Sequence, residues 1–181
     1  APRPARHFSR TEWEEIGSKL ETFHSIFSTF WQIGKPNFTY ELPTAGVYFD
    51  KIGDVVDFNI NPDFWDTLTE EQKLFVICHE VTHVLFYHGF RITGLKTKQE
   101  LQTANLALDI TVNHFLTDNL GFEREAVDPP IKPEDCTPQE LKYTEGKGFP
   151  NGKYCWIDTV FPEEKKRPIV GQAFEYYYGL I

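Results

Sequence analysis

The sequence is short of positive charge and of long apolar runs. Its 181 residues carry 18 Lys and Arg against 27 Asp and Glu, which gives a net charge of −9. No excess of cations is therefore available to replace the counterions of a nucleic-acid phosphate backbone. No stretch approaches the roughly 18 consecutive apolar residues that a membrane-spanning helix needs. We expect a protein that binds neither nucleic acid nor a membrane.

Cysteine is also scarce. The three cysteines, Cys78, Cys136 and Cys155, are an odd number and form no CxxC pair. This count fits neither a disulfide framework nor a thiolate metal site. No apolar stretch follows the basic N-terminal residues, so no secretory signal peptide is expected. We therefore predict reduced thiols and a cytoplasmic location.

Apolar and aromatic residues, in contrast, are plentiful. Hydrophobic residues make up 40% of the chain, with 16 Phe, 8 Tyr and 4 Trp among them. A chain of this length and composition can bury a real core. We expect a single domain over residues 1–181, in which residues 1–9 form a loose N-terminal arm.

Helix start and stop signals predict three long helices. The first runs from about Thr11 to Ile33. The second begins after Thr69, which has a glutamine at capping-box spacing, and continues to Gly89. The third covers about Lys98 to Leu120, where a glycine follows. The first two helices are separated by short extended segments.

Those extended segments predict a small sheet. "AGVYFDK" and "DVVDFNIN" flank Ile52-Gly53-Asp54, which suits a hairpin turn. The expected fold is α+β, with a small β-sheet packed on a helical bundle and the second long helix at its centre.

The second helix carries the motif His79-Glu80-Val81-Thr82-His83. Side chains four residues apart project from one helix face, so both imidazoles can reach one metal at about 2.0–2.1 Å. Glu80 is rotated about 100° from His79 and can take a proton from activated water. The helix is apolar nearly all round, which predicts burial. A metal would satisfy the buried histidines, although hydrogen bonds to protein groups are the alternative.

A third ligand is predicted on the third helix. No cysteine stands at ligand spacing, so three protein ligands and a water are favoured over a structural zinc site. Asn105, Asp109 and Asn113 form a polar stripe at i, i+4 and i+8. Asp109 is the predicted ligand, because a buried carboxylate needs a cation. Asn105 and Asn113 are candidates to orient a ligand, or form a solvated face.

His88 and His114 are the alternative ligands. His88 could bind the metal only if the helix breaks before Gly89. Otherwise we expect His88 near the helix end, where a cation is favourable.

At these residues the chain resembles a known family. "HEVTHVLFYHGFR", followed on the next helix by "NLALDITVN", is similar to the zincin-like putative metallopeptidase domain of bacteria and phages, often found beside a von Willebrand A-like domain. The family pattern is HExxH, a His five residues on, an Arg, and then Trp-Asn-x-Ala-x-Asp-x-x-x-Asn. The matching residues are His79, Glu80, His83, His88, Arg91, Asn105, Ala107, Asp109 and Asn113, while Ala104 replaces the family's Trp.

The resemblance implies a hydrolase, a Zn²⁺-dependent metallopeptidase acting on peptides or proteins, with Glu80 as general base. The "DFNIN" segment is the candidate edge strand that an extended peptide would join. Tyr154, Tyr143 and Arg91 are candidate oxyanion partners. Because no von Willebrand A-like portion is present, any such partner is expected to be a separate protein. The alternatives are a zinc-binding protein with a binding or assembly role, and a hydrolase of non-peptide amides.

Overall fold

A three-stranded sheet and a set of helices make up the described part of the chain, residues 6–29 and 33–181, in the computed structural model. The α-helices are α1 Arg10–Phe23, α2 Pro62–Asp66, α3 Glu70–Leu85, α4 His88–Arg91, α5 Lys98–Leu120, α6 Arg124–Val127, α7 Pro138–Tyr143, α8 Ile157–Val160 and α9 Phe174–Tyr178. The 3-10 turns are Ser25–Thr29, Pro133–Asp135 and Glu164–Lys166, and the strands are β1 Asn37–Phe38, β2 Ala45–Phe49 and β3 Val55–Ile60. The predicted α+β class is confirmed. Among the described residues, no helix is long and apolar enough to cross a membrane.

The sheet has the order β1-β3-β2, with β3 parallel to β1 and antiparallel to β2. The predicted hairpin is confirmed, because β2 and β3 are joined by a turn in which the Asp50 carboxylate accepts hydrogen bonds from the N–H groups of Ile52 and Asp54. The prediction of "DFNIN" as an edge strand is wrong. Its residues lie in the central strand, since β1 covers the side of β3 that β2 leaves open.

Helix α1 is shorter than expected. Ser9 rather than Thr11 is the N-cap, and its side chain accepts a hydrogen bond from a backbone N–H three residues on. The helix ends at Phe23 instead of Ile33, because His24 adopts an extended backbone with φ −162° and ψ 135°. No glycine or proline marks this stop in the sequence.

The residues before α1 are packed, so the prediction of a loose arm is wrong for residues 6–9. Phe8 is buried, and its ring lies 5.6, 4.2 and 5.2 Å from the rings of Trp13, Phe38 and Trp65. Aromatic packing of this kind stabilises the segment well beyond its own backbone contacts. The predictions for residues 1–5 and 30–32, with Phe30 and Trp31 among them, lie outside the described residues.

Helices α3 and α5 begin or end as predicted where the sequence has clear capping residues. Both begin with a capping box, formed by Thr69 in α3 and Thr97 in α5. The predicted bounds of α5 are confirmed, with Gly121 at φ 79° after the last turn. Helix α3, however, stops at Leu85 and not at Gly89, because Tyr87 takes a left-handed conformation with φ 54°.

The buried apolar residues form two clusters that meet on α5. The larger cluster joins α1, the sheet and α3 to the C-terminal half of α5, through Val112 and Leu116. The smaller cluster packs the N-terminal half of α5 against the C-terminal helix, with the members Ala104, Ala107, Leu108, Ile110, Ile157, Phe174 and Tyr177. Helix α5 is therefore held by apolar contacts along most of its length.

Two glycines let the β2–β3 turn approach α4 backbone to backbone. A Cβ on Gly53, whose φ is +91°, would lie 2.4 Å from the backbone nitrogen of Phe90. A Cβ on Gly89 would lie 2.2 Å from the ring of Phe49 and 2.7 Å from the carbonyl oxygen of Gly53. Glycine is required at both positions, and their contact ties the hairpin to the segment that follows α3.

We expect Gly53→Ala to lower the free energy of unfolding by more than about 2 kcal/mol, because it combines a strained backbone with a clash against backbone atoms. Urea unfolding followed by circular dichroism measures the effect. Gly94→Ala is the control, since a Cβ there meets nothing within 4 Å, and it should change stability by about 0.5 kcal/mol or less. Equal effects of the two substitutions would contradict this account of the turn.

Candidate metal centre

Two imidazole nitrogens and one carboxylate oxygen converge between α3 and α5. The Nε2 atoms of His79 and His83 are 3.0 Å apart, and Oδ1 of Asp109 lies 3.4 and 3.3 Å from them. Ligands that surround one ion tetrahedrally at about 2.0–2.1 Å are themselves about 3.3–3.4 Å apart. Across residues 6–29 and 33–181 this is the one group of three or more such side chains that could hold a metal ion.

Helical geometry produces this convergence from the sequence. His79 and His83 stand one turn apart on α3 and are buried, with 5% and 9% exposure. Asp109 lies midway along α5, which packs against α3, and its side chain keeps 35% of its surface exposed. One side of the centre is therefore closed by protein and the other is open to solvent.

Asn113 fixes the orientation of His79. The Asn113 amide nitrogen donates to the carbonyl of Cys155 at 2.9 Å, so the amide oxygen must face His79. His79 Nδ1 lies 2.6 Å from that oxygen and donates to it. Because a neutral imidazole has one donor and one acceptor, Nε2 of His79 then presents a lone pair to the centre. This is the arrangement of a residue that orients a metal ligand.

His88 lies behind His83, on the side away from Asp109. The Nδ1 atoms of His83 and His88 are 2.9 Å apart. Helix α3 does break before Gly89, but the break turns His88 toward the far nitrogen of His83 and not into the group of three ligand atoms. His88 is fully buried, and burial lowers its pKa to about 2. The prediction of a cation at the helix end is therefore wrong.

The charges at the centre suit a cation. Burial raises the pKa of Asp109, but hydrogen bonds and charge interactions with His79 and His83 outweigh it, and the pKa lies well below its usual range. Burial lowers the pKa of His79, yet the neighbouring Asp109 outweighs it and leaves that pKa above its usual value. The carboxylate thus stays ionised and favours positive charge beside it.

Glu80 is held by the edge of the sheet. Its Oε2 accepts a hydrogen bond from the backbone N–H of Val47 at 3.0 Å, and the side chain is only 6% exposed. Burial raises the pKa of Glu80 and outweighs the opposing effect of His79 and His83. Strand β2, not β3, is therefore the edge strand that borders the site.

A cleft of about 1840 Å³ opens beside the centre. Its walls come from β2 and the segment before it, from the N-terminal half of α5, and from residues 149–155. Among the predicted site residues outside the centre, Asn105, Tyr143 and Tyr154 line this cleft. The ring of Tyr154 lies 5.5 Å from the ring of His79, and burial raises the pKa of its hydroxyl well above the usual value.

Two predicted site residues lie elsewhere. The guanidinium of Arg91 pairs with the carboxylate of Glu175 and lies 5.1 Å from the centre of the Phe174 ring, so it holds α9. Nε2 of His114 accepts a hydrogen bond from the backbone N–H of Ile157 at 3.1 Å and so supports the start of α8.

Sequence reasoning missed Asp128. Its buried carboxylate accepts hydrogen bonds from the backbone N–H groups of Lys153 and Tyr154 and, at 2.8 Å, from the Trp156 indole. It thereby fixes the segment whose Cys155 carbonyl orients Asn113. Asp128 stands in a Pro-rich stretch that reads as a loop. No local pattern there distinguishes a structural carboxylate from a solvated one.

Part of the chain matches the model of a known protein family. Residues 53–133 match the model of a family described as "Putative metallopeptidase domain". No curated protein and no solved structure matches the chain. The matched range contains His79, Glu80, His83 and Asp109. The resemblance to a putative metallopeptidase domain is thereby confirmed over residues 53–133.

Proposed function

We propose that this protein is a zinc-dependent metallopeptidase of the zincin type, formed by one domain over residues 1–181. The observation that carries the proposal is the spacing of the nitrogens of His79 and His83 and the oxygen of Asp109, at 3.0 to 3.4 Å. Zinc is the favoured ion, because two neutral imidazoles and one carboxylate form a catalytic zinc set. The exposed side of Asp109 leaves room for a fourth ligand from the cleft.

In the proposed reaction, zinc when bound supplies Lewis acidity, which acidifies water and polarises a carbonyl group. Glu80 accepts a proton from the attacking water and later passes it to the nitrogen of the leaving amine. Its raised pKa suits a group that must both take and give a proton. The hydrogen bond from Val47 holds the carboxylate beside the cleft throughout.

The free edge of β2 is the proposed binding surface for an extended peptide. The strand lines the cleft, and a peptide could add to it by backbone hydrogen bonds. The N–H of Val47 already donates to Glu80, so the peptide would pair with the groups on either side of it. This register would place a peptide carbonyl next to the proposed base.

Tyr154 is the proposed oxyanion partner. It lines the cleft, and its ring packs near His79. Its pKa is raised well above the usual value by burial, which keeps the hydroxyl protonated and able to donate. Tyr143 lines the same cleft but is 73% exposed, and Arg91 is held by Glu175. Neither is as well placed to meet a developing negative charge beside the centre.

The first test concerns the metal. The purified protein should bind one zinc ion per chain, and Asp109→Ala should weaken zinc binding by more than about 100-fold, since a ligand contributes more than the residues that orient it. Competition with a chelator measures the affinity. Asp118→Ala is the control, because Asp118 lies on the same helix with a side chain 48% exposed. Unchanged affinity in Asp109→Ala would remove it from the ligand set.

The second test concerns the base. Glu80→Gln should lower hydrolysis of a mixed peptide library by about 100-fold or more, because the amide cannot accept the proton. Mass spectrometry of the products measures turnover, and zinc content should stay at the wild-type level. Glu71→Gln, an exposed position on the first turn of α3, should keep full activity. Loss of zinc in Glu80→Gln would instead identify Glu80 as a ligand.

The third test concerns the oxyanion. Tyr154→Phe should lower kcat by about 100-fold with zinc affinity unchanged, the usual effect of removing one oxyanion donor. Tyr143→Phe removes a hydroxyl from the same cleft and should leave kcat within about twofold, because that side chain is solvated. If the two variants behave alike, Tyr154 has no specific role in the transition state.

A further inference from the structure

We propose that His88 is a positioning residue of the metal centre: its Nδ1 accepts the Nδ1–H of His83 and so directs the Nε2 lone pair of His83 at the metal position. The inference rests on the proposed function and adds to it the residue that selects the tautomer of one ligand. The supporting distance is 2.9 Å between the two Nδ1 atoms.

Only one direction of this hydrogen bond is compatible with metal binding. A neutral imidazole carries a single N–H, so one of the two histidines must donate in a contact of 2.9 Å. If His88 donated, His83 would carry its hydrogen on Nε2, which points at His79 and Asp109. A protonated Nε2 cannot be a ligand. If His83 donates, all three converging atoms are lone-pair donors to one ion.

The other imidazole of the centre is held in the same way. Asn113 accepts from Nδ1 of His79 at 2.6 Å, and its amide is oriented by the Cys155 carbonyl. Each histidine ligand therefore has a buried group behind its outer nitrogen. For His79 that group is an amide oxygen on α5, and for His83 it is an imidazole at the start of α4.

The structure holds His88 firmly in this place. Its side chain is fully buried, with the rings of Phe86 and Phe174 at 5.6 and 6.2 Å. The preceding Tyr87 is left-handed, a conformation that is unfavourable for residues with a Cβ, and its side chain is 75% exposed. The following Gly89 touches the β2–β3 turn. Backbone strain of this kind persists where the geometry it produces is needed.

An ordinary core histidine explains the contacts of His88 less well. Its Nε2 is buried without a hydrogen-bond partner among the described residues. In the proposed direction this nitrogen carries the hydrogen of His88, and an unpaired buried N–H is a cost that packing alone does not require. Within the described part of the chain, the one hydrogen bond of the His88 side chain is with a proposed ligand.

Two substitutions separate the acceptor from the shape of the side chain. His88→Asn keeps an oxygen near the position of Nδ1, while His88→Leu has similar bulk and no acceptor. Zinc affinity of the full chain, measured by chelator competition, should fall 10- to 100-fold in His88→Leu, the usual effect of losing an orienting partner. It should stay within about threefold of wild type in His88→Asn. Equal affinity in wild type and His88→Leu, or equal weakening in both variants, overturns the proposal.

A second measurement uses the wild-type chain and so does not depend on a variant that folds. Nitrogen-15 NMR of labelled histidines in the zinc-free protein should show His83 protonated at Nδ1. A His83 with hydrogen on Nε2 alone would overturn the inference.

Failure of the proposed function can be distinguished from failure of the proposed role of His88. If the wild type binds no zinc, the proposed function and the proposed role of His88 are both contradicted. If the wild type binds zinc and His88→Leu binds it equally well, the proposed role of His88 is contradicted and the proposed function is not.

Discussion

The rest of the site depends on the close approach of two imidazole nitrogens and one carboxylate oxygen between α3 and α5. Nε2 of His79 lies 3.4 Å from Oδ1 of Asp109, while its other nitrogen donates to Asn113, so a neutral His79 would direct a lone pair at the carboxylate. Two such atoms in a partly buried site repel each other unless a positive charge lies between them. The apolar clusters on both sides of α5 stabilise a helix whose polar stripe would otherwise favour solvent.

The features that could be predicted well from the sequence are those determined by the residues of a single helix. The spacing of His79 and His83, the stripe through Asp109 and the bounds of α5 all follow from helical periodicity and from capping residues. The edge strand was mispredicted, because which side of β3 is covered depends on a two-residue pairing with β1. The side to which His88 turns was also beyond prediction, since it depends on one left-handed residue, Tyr87, with no glycine to mark it.

The sheet and the centre form one connected unit. Strand β2 donates to Glu80 through Val47, and its turn contacts Gly89 through Gly53. The same edge therefore touches the proposed base at one point and the segment that carries His88 at another. A peptide that lies along β2 would be placed relative to both by backbone contacts.

The family match covers the proposed ligands together with Asn113 and His88, but not the outer contacts that hold Asn113 and Glu80. Residues 53–133 include both histidines and Asp109, whereas Val47 and the 153–156 segment lie outside that range. Those outer residues supply the donor to Glu80, the carbonyl that orients Asn113, and Tyr154. Asp128 links the two parts, because it lies within the matched range and binds the backbone of the later segment. The proposed ligands can therefore be recognised from a short pattern, while the contacts of Asn113 and Glu80 also depend on segments outside it.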